Sequence, residues 1–158
     1  MDQQILQIIL KDTYSLSQLK HRLSVLKTSL EQTFFGGEEK ILNQADQVWV
    51  KSLPTGLLQN FDKNNIVTIF EDLKKGINKL QILTIYLSFD PDEAAISQIG
   101  EFAKKTFQTP HLLDIKYDPG LIAGCSLVWK GIYKNYSLKS KIDEKKLEVL
   151  RSFQAFLR

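Results

Sequence analysis

The sequence contains a single cysteine, two histidines and four prolines among its 158 residues. One cysteine cannot form an internal disulfide, and two histidines add too few soft ligands for a structural zinc site, so a reducing compartment is expected. The first residues, MDQQILQIILKDTY, lack the basic start and the small-residue cleavage site of a signal peptide. No apolar run approaches the roughly 20 residues that span a bilayer. These absences predict a soluble intracellular protein.

An excess of charge of one sign is also missing. The 21 basic residues nearly balance the 18 acidic ones, which leaves a net charge of +3. A dedicated nucleic-acid-binding domain usually concentrates more positive charge than this. The hydrophobic content of 43% and the charged content of 25% are ordinary for globular proteins. The length fits one domain or two small ones, each with a buried core.

Catalytic motifs are absent as well. The chain has neither a GxxxxGK[ST] nor a GxGxxG phosphate-binding loop, and the paired glycines of FFGGEEK are explained as the end of a helix. Cys125 lies in a strand-like segment without a histidine nearby in the sequence, which is typical of a small buried side chain. His21 and His111 are expected to face solvent. The sequence therefore predicts no enzyme, no cofactor and no metal site.

Residues 1–79 show the periodicity of helices. In SLSQLKHRLSVLKTSLEQTFFGG the apolar residues recur at three- and four-residue steps. Ser15 is the predicted N-cap of this helix, Gln18 completes a capping box, and Gly36-Gly37 ends the helix. A further short helix covers DQQILQIIL. The pattern predicts a small antiparallel helical bundle.

Two more helices belong to this predicted bundle. One extends from Glu38 to about Ser52 and is stopped by Pro54, and its apolar face consists of Ile41, Ala45, Val48 and Trp49. The other starts after Asp62, and its apolar residues are Ile66, Ile69, Phe70, Leu73, Ile77 and Leu80.

After residue 80 the pattern becomes alternating, which indicates strands. LQILTIYLSF is predicted to be a strand with Leu83, Ile85, Leu87 and Phe89 on its buried face. A helix follows in DPDEAAISQIGEFAKKTF, with Asp90 as its cap, Pro91 at its first position and Glu93 completing a capping box. Its apolar side is Ile96, Ile99, Phe102, Ala103 and Phe107.

Three further strands, LLDIKYD, LIAGCSLVW and IYKNYSL, precede a final helix that starts at about Ser137. Lys130-Gly131 is the predicted turn between the last two strands, because glycine accepts a positive φ. The predicted fold class is α+β, with an N-terminal helical bundle (residues 1–79) and a C-terminal β-α-β-β-α domain (residues 80–158).

Lysines and tyrosines near the C-terminus offer three interpretations. They could contact RNA phosphates and stack on bases, they could form an ordinary solvated surface of mixed charge, or they could flank a surface that binds a partner helix. Asp143, Glu144 and Glu148 interrupt the positive charge. The cluster comprises Lys130, Lys134, Lys139, Lys141, Lys145 and Lys146, with Tyr133 and Tyr136 between them.

The stretch DPGLIAGCSLVWKGIYKNYSLKSKI resembles the C-terminal signature of the F-type ATP synthase delta subunit family, which includes the mitochondrial oligomycin-sensitivity-conferring protein. In that family a Leu-Ile-x-Gly segment leads through a hairpin to an Asp-x-Ser-Val-Arg-x-x-Leu helix start. The residues that carry the resemblance are Asp118, Leu121, Ile122, Gly124, Gly131, Asn135, Ser137, Leu138, Lys139, Lys141 and Ile142. It covers residues 80–158.

The resemblance implies a non-catalytic peripheral-stalk, or stator, subunit that links the catalytic head of the synthase to its membrane-anchored stalk. Its implied partners are the N-terminus of an alpha subunit and the C-terminus of a b-type stalk subunit. It would lie on the cytoplasmic side of the cell membrane, contacting the membrane only through the complex and binding no nucleic acid. A small RNA-binding or ribosome-associated α+β protein is the alternative.

The chain also departs from the family pattern. Lys130-Gly131 replaces the usual Gly-Asp turn, Asn135 replaces an aspartate, and Cys125 replaces a larger apolar residue. Lys139 and Lys141 stand where the family has arginines. The N-terminal domain of the family has six helices, whereas residues 1–79 of this chain are long enough for only three or four. Either the chain is a shortened member or its N-terminal half is unrelated.

The leucine stripe of the long helix is the candidate contact with the alpha subunit. If the short bundle leaves the stripe uncovered, an apolar groove remains that an amphipathic helix could fill. If the remaining helices close over the stripe, no groove remains. The stripe consists of Leu16, Leu19, Leu23, Leu26 and Leu30.

Overall fold

The computed structural model describes residues 2–36, 42–107 and 111–156. The chain forms two compact units, Met1–Leu80 and Gln81–Arg158, a division one residue away from the predicted boundary. The first unit is helical, and the second combines a four-stranded sheet with helices. The predicted α+β class is confirmed.

The first unit packs its helices around a hydrophobic core. Helix α1 contacts both α5 and α2. The helices are α1 (Asp2–Lys11), α2 (Leu16–Phe35), α3 (Gln44–Ser52), the short α4 (Thr55–Leu58), which was not predicted, and α5 (Ile66–Ile77). The buried core residues include Ile5, Leu6, Ile9, Leu19, Val25, Leu26, Leu30, Leu53, Leu57, Phe61, Ile66, Ile69, Phe70 and Leu73.

Helix α2 begins as its sequence predicts. The Ser15 hydroxyl accepts a hydrogen bond from the Gln18 N–H at 3.1 Å, and the Gln18 side-chain oxygen accepts one from the Ser15 N–H at 3.3 Å. This reciprocal pair is the predicted capping box. At the other end, the Gly36 N–H donates to the Gln32 carbonyl at 3.1 Å with φ of 69°. Gly37 lies outside the described residues.

Helix α3 differs from its prediction. It begins at Gln44, where the Asn43 side chain accepts a hydrogen bond from the Asp46 N–H at 2.7 Å. Residues 38–41 of the predicted helix lie outside the described residues. Ala45 and Val48 are exposed, so their assignment to a buried face was wrong. Amphipathic spacing alone did not reveal whether another element covers that face.

Polar and aromatic contacts join α3 to α2. The His21 Nε2 lies 2.8 Å from a carboxylate oxygen of Asp46, and the Arg22 guanidinium lies 5.4 Å from the centre of the Trp49 ring. A cation near the face of an aromatic ring is attracted to it, so the second contact is favourable. The His21 side chain remains more than half exposed.

The second unit contains β1 (Gln81–Leu87), α6 (Glu93–Phe107), β2 (His111–Tyr117), β3 (Cys125–Trp129), β4 (Ile132–Asn135) and α7 (Leu138–Phe156), with a 3₁₀ turn at Pro119–Leu121. Its order is β-α-β-β-β-α, in which all four predicted strand segments form, so the condensed pattern β-α-β-β-α counted one strand too few. The strands lie side by side as β2-β1-β3-β4, with β1 parallel to β2 and antiparallel to β3. A parallel pair requires a crossover, and α6 supplies it.

The core of the second unit lies between α6 and one face of the sheet. Its buried residues are Leu83, Ile85, Leu87, Ala103 and Leu113, with Ile99 and Phe107 packed beside them. Phe89 and Phe102 were predicted to be buried and are exposed. Phe89 lies beyond the last residue of β1, and Phe102 lies on the solvent side of α6.

The start of α6 is two residues later than predicted. The helix begins at Glu93. The Ala95 N–H donates a hydrogen bond to the carboxylate of Asp92 at 2.7 Å, so Asp92 and not Asp90 caps the helix. The sequence Asp-Pro-Asp contains two candidate caps.

His111 was predicted to face solvent and is instead buried at the start of β2. Its ring lies edge-on to Phe107 at 5.5 Å and to Trp129 at 5.6 Å between ring centres. Such contacts between aromatic edges and faces are favourable. His111 is therefore part of the packing between α6 and the sheet.

Candidate functional site

The residues that carry the delta-family resemblance begin with a tight turn. The Asp118 carboxylate accepts a hydrogen bond from the Gly120 N–H at 2.9 Å, which caps the 3₁₀ turn at Pro119–Leu121. Leu121 is buried, and Ile122 follows with a positive φ of 66°. The chain reverses here, so β3 starts at Cys125 and not at the predicted Leu121.

Gly124 lies against the segment that leads into the last helix. Its φ is +84°, and a Cβ added to it would lie 2.6 Å from the carbonyl oxygen of Tyr136. No side chain fits at that distance, and L-residues rarely adopt that φ. The neighbour at this close approach is the backbone at Tyr136 and Ser137.

Backbone hydrogen bonds hold the two halves of the signature together. The Tyr136 N–H donates to the Cys125 carbonyl at 2.9 Å, and the Leu138 N–H donates to the Ala123 carbonyl at 2.8 Å. These bonds lie on both sides of Gly124. A side chain at position 124 would force this pairing apart, and the beginning of α7 would move with it.

Ser137 caps α7 as predicted. Its hydroxyl accepts a hydrogen bond from the Ser140 N–H at 3.2 Å, and its own N–H donates to the Asn135 side-chain oxygen at 2.9 Å. Ser137 is fully buried although it is polar. Since its hydrogen bonds are satisfied, burial costs little and fixes the position of the helix start.

Five signature residues, Asp118, Leu121, Asn135, Ser137 and Lys139, line one cleft of about 570 Å³. Gly131 lies apart from them in the β3–β4 turn, where Lys130 and Gly131 have φ of 50° and 78°. Lys141 lies on the exposed surface of α7. The signature is thus mainly a structural device that sets the position of α7.

The leucine stripe of α2 is divided between core and surface. Leu19, Leu26 and Leu30 are buried in the first unit, while Leu16 and Leu23 are only partly covered. The sequence left two alternatives, a stripe left uncovered as a groove and a stripe fully closed over. Neither describes the whole stripe, because most of it is buried and one part remains accessible.

The accessible part is a groove of about 400 Å³ between α2 and α5. Leu23, Phe70 and Ile77 form its apolar surface. Three lysines surround them: Lys20, Lys27 and Lys74. These lysines were not predicted as contact residues, although Lys20 and Lys27 lie three residues before and four residues after Leu23 on the same helix face.

Helix α7 carries a second accessible apolar surface. In Leu138–Phe156 no residue is buried. Apolar and lysine side chains alternate along one side, where they line a shallow depression formed by Leu138, Lys141, Ile142, Lys145, Lys146, Val149 and Leu150. The lysines were singled out from the sequence but the apolar residues beside them were not, although Leu138, Ile142 and Val149 recur at helical spacing.

The tyrosines of the basic cluster do not share a surface. Tyr133 lines the cleft beside Asp118, whereas Tyr136 lines a separate groove with Trp129 and Phe107. Single-stranded nucleic acids are usually bound on a continuous series of stacked aromatic rings. The arrangement of these two tyrosines provides no such series.

Cys125 is half-buried in β3, and burial raises the pKa of its thiol above the usual value. A raised pKa keeps the thiol protonated at neutral pH, which disfavours nucleophilic chemistry. Over residues 2–36, 42–107 and 111–156, no three His, Cys, Asp or Glu side chains are grouped to hold a metal ion. In the same ranges no helix is long and apolar enough to cross a bilayer.

The geometry therefore assigns two candidate interaction surfaces, the lysine-edged groove of the first unit and the exposed face of α7. In comparisons with known proteins, no protein-family model matches the chain and no curated protein matches its sequence.

Proposed function

We propose that the chain is a non-catalytic peripheral-stalk subunit of an F-type ATP synthase, similar to the delta subunit. The observation that supports this most is the contact at Gly124. The Leu-Ile-x-Gly segment and the Asn-x-Ser helix start resemble two parts of one family signature, and they lie against each other through paired backbone groups. A glycine and a capping serine are needed at these positions for a physical reason.

The distribution of surfaces supports the same proposal. A stator subunit has to hold two partners at once, and each compact unit offers one apolar surface with lysines around it. The groove of the first unit would bind the N-terminal helix of the alpha subunit. The face of α7 would contact the b-type stalk. The role is mechanical, since a held head cannot turn with the rotor.

Within the groove, Leu23 and Ile77 would receive the apolar side chains of the alpha helix, and Lys20, Lys27 and Lys74 would favour acidic residues at its edges. This narrows the predicted contact from the whole leucine stripe to Leu23. Leu19, Leu26 and Leu30 would act only by supporting the bundle, because they are already buried.

The test is titration of the full-length chain with a peptide from the N-terminus of the alpha subunit of the same organism. We expect wild-type binding and loss of binding in Leu23→Asp, because a carboxylate would enter an apolar groove. The matched control is Val67→Asp, an equally large change at an exposed position of α5 that does not line the groove. Calorimetry measures the affinity, and circular dichroism measures helicity.

Absence of binding by the wild-type chain would reject the proposed contact with the alpha subunit. Equal loss of binding in Leu23→Asp and Val67→Asp would show that the effect comes from charge and not from the groove. Retained helicity in Leu23→Asp is expected because Leu23 is only partly covered. Unfolding of that variant would assign Leu23 to the core instead.

A further inference from the structure

Strand β4 lies at the end of the sheet and presents an open edge. In the sheet that the structure describes, the order β2-β1-β3-β4 gives Ile132–Asn135 a neighbouring strand on one side only. All four residues of β4 are exposed, with Ile132 at 61% and Tyr133 at 56%. Because a strand edge carries backbone donors and acceptors, it can pair with another extended chain.

The hydrogen bonds of the β3–β4 hairpin show which backbone groups face outward. The Tyr136 N–H donates to the Cys125 carbonyl, so the backbone of Tyr136 faces β3. In an antiparallel pair, successive residues alternate between facing the partner strand and facing away from it. Lys134 therefore directs its backbone groups toward β3, whereas Tyr133 and Asn135 direct theirs to the open edge.

A groove beside this edge offers space for a side chain of an added strand. Lys134 lies opposite Leu127 in the hairpin, so both side chains are on the face of the sheet that packs against α6. The groove has a volume of about 190 Å³, and Lys134 is the charged residue in its lining. The other lining residues are Leu83, Phe107, Leu127, Trp129, Ile132 and Tyr136.

The charge of Lys134 selects the residue that would lie opposite it. Within the part of the chain that the structure describes, its ammonium group takes part in no ion pair. Residues that face each other at a position without backbone hydrogen bonds approach most closely, and opposite charges there are favourable. An acidic residue is therefore favoured opposite Lys134. Apolar residues two positions before and after this acid would contact Ile132 and Tyr136.

A helix and a second copy of the chain fit this edge less well. The backbone groups of a helix bond within the helix, so they would leave the outward groups of Tyr133 and Asn135 unpaired. A second copy aligned about Lys134 would place two lysines directly opposite each other, which is unfavourable. A second copy aligned about Tyr133 would place Lys134 against Ile132 and supply no acid.

We propose that β4 binds an extended segment of another protein as an additional antiparallel strand, with an acidic residue opposite Lys134 and an apolar residue two positions away on each side. An antiparallel strand continues the arrangement of β1, β3 and β4. Backbone hydrogen bonds to Tyr133 and Asn135 provide affinity, and the pair with Lys134 sets the register. This inference is independent of the proposed function, whose partners bind to the groove of the first unit and to α7.

The experiment titrates the full-length chain with short peptides that have glutamate at the centre, a threonine on each side of it and a valine beyond each threonine. In one peptide both threonines are N-methylated, which removes the N–H groups that would face β4. In the matched peptide both valines are N-methylated, which removes N–H groups that would point away from β4. We expect the threonine-methylated peptide to bind at least about tenfold more weakly, since two backbone hydrogen bonds are lost. Fluorescence anisotropy measures both affinities.

Charge reversal tests the assignment to Lys134. The wild-type chain should prefer the valine-methylated peptide with a central glutamate over the same peptide with a central lysine by about fivefold, and Lys134→Glu should reverse this preference. The matched control, Lys145→Glu, makes the same change of charge on α7 and should keep the preference for glutamate. Both positions are exposed, so circular dichroism should show unchanged secondary structure.

Equal affinity of the two methylated peptides, or absence of binding by both, would overturn the proposal. The same effect of Lys134→Glu and Lys145→Glu would overturn the role of Lys134. A dimer in sedimentation that Tyr133→Pro dissociates would assign the edge to a second copy instead, since proline removes an outward N–H and leaves the hydrogen bonds to β3 in place.

Discussion

Helices α2 and α7 have nearly the same length and are both amphipathic, yet their apolar sides have opposite surroundings. In Leu16–Phe35, four residues of the apolar side are buried by other helices of the first unit. In Leu138–Phe156, none is buried. Both helices begin at a buried serine that caps the first turn. The local sequence therefore specifies a capped amphipathic helix in both cases. Whether other elements cover its apolar side is decided elsewhere in the chain.

The largest effect should come from shortening one apolar side chain on each helix. Leu26→Ala in α2 removes a fully buried side chain and should reduce the free energy of unfolding by about 4 kcal/mol through lost contacts and a cavity. Val149→Ala in α7 should change it by less than about 0.5 kcal/mol, since no cavity forms. Chemical denaturation followed by circular dichroism measures both. Similar losses would mean that the apolar side of α7 is covered.

A smaller effect is expected where α7 joins the sheet. Gly124→Ala should destabilise the second unit by about 3 kcal/mol, because it adds a contact at 2.6 Å to the strain of a positive φ. Gly131→Ala is the matched control. It has a similar φ but no atom within 4 Å of an added Cβ, so only the strain of about 1–2 kcal/mol remains.

Thermal unfolding of the two glycine variants provides the measurement. If both lose the same stability, the close approach at Gly124 contributes nothing. The structural explanation of the signature, and with it the main support for the proposed function, would then be lost.

Removing the N-cap should have the smallest effect on stability, and the effect should be equal for α2 and α7. Ser15→Ala and Ser137→Ala each remove a side chain that accepts a hydrogen bond from the first turn, at 3.1 and 3.2 Å. Each should reduce stability by about 1 kcal/mol, the usual value of an N-cap. Denaturant midpoints measure the change. A much larger loss for Ser137 would show that α7 depends on its first turn more than α2 does.

Local features of the fold could be predicted because their causes are local. The capping box of Ser15 and Gln18, the Lys130-Gly131 turn and the Ser137 cap each depend on hydrogen bonds or φ values within a few residues. The start of α6 was predicted two residues too early, because the local sequence allows either Asp90 or Asp92 to cap the helix. The element order of the second unit followed from the change of period at residue 80.

The candidate sites could be predicted only in part. The leucine stripe was visible, but Leu23 became distinct from Leu19 and Leu26 only through the position of α5. The lysines of α7 were visible, but the local pattern does not show that Ile142 and Val149 beside them stay exposed, because exposure depends on which elements pack nearby. The burial of His111 depends on Phe107 and Trp129, which are brought to it by α6 and β3.

The sequence by itself determined the features that act over a few positions, such as the Ser15 and Ser137 caps and the Lys130-Gly131 turn. Tertiary structure decided which apolar faces became core. It also brought Gly124 against Tyr136, since strand pairing joins residues that are distant in the chain. A stripe of leucines or a lone glycine has the same local energy in either setting. Neighbouring helices cover the apolar side of α2, whereas none of the elements that the structure describes covers that of α7. The local sequence pattern does not show which elements will be neighbours.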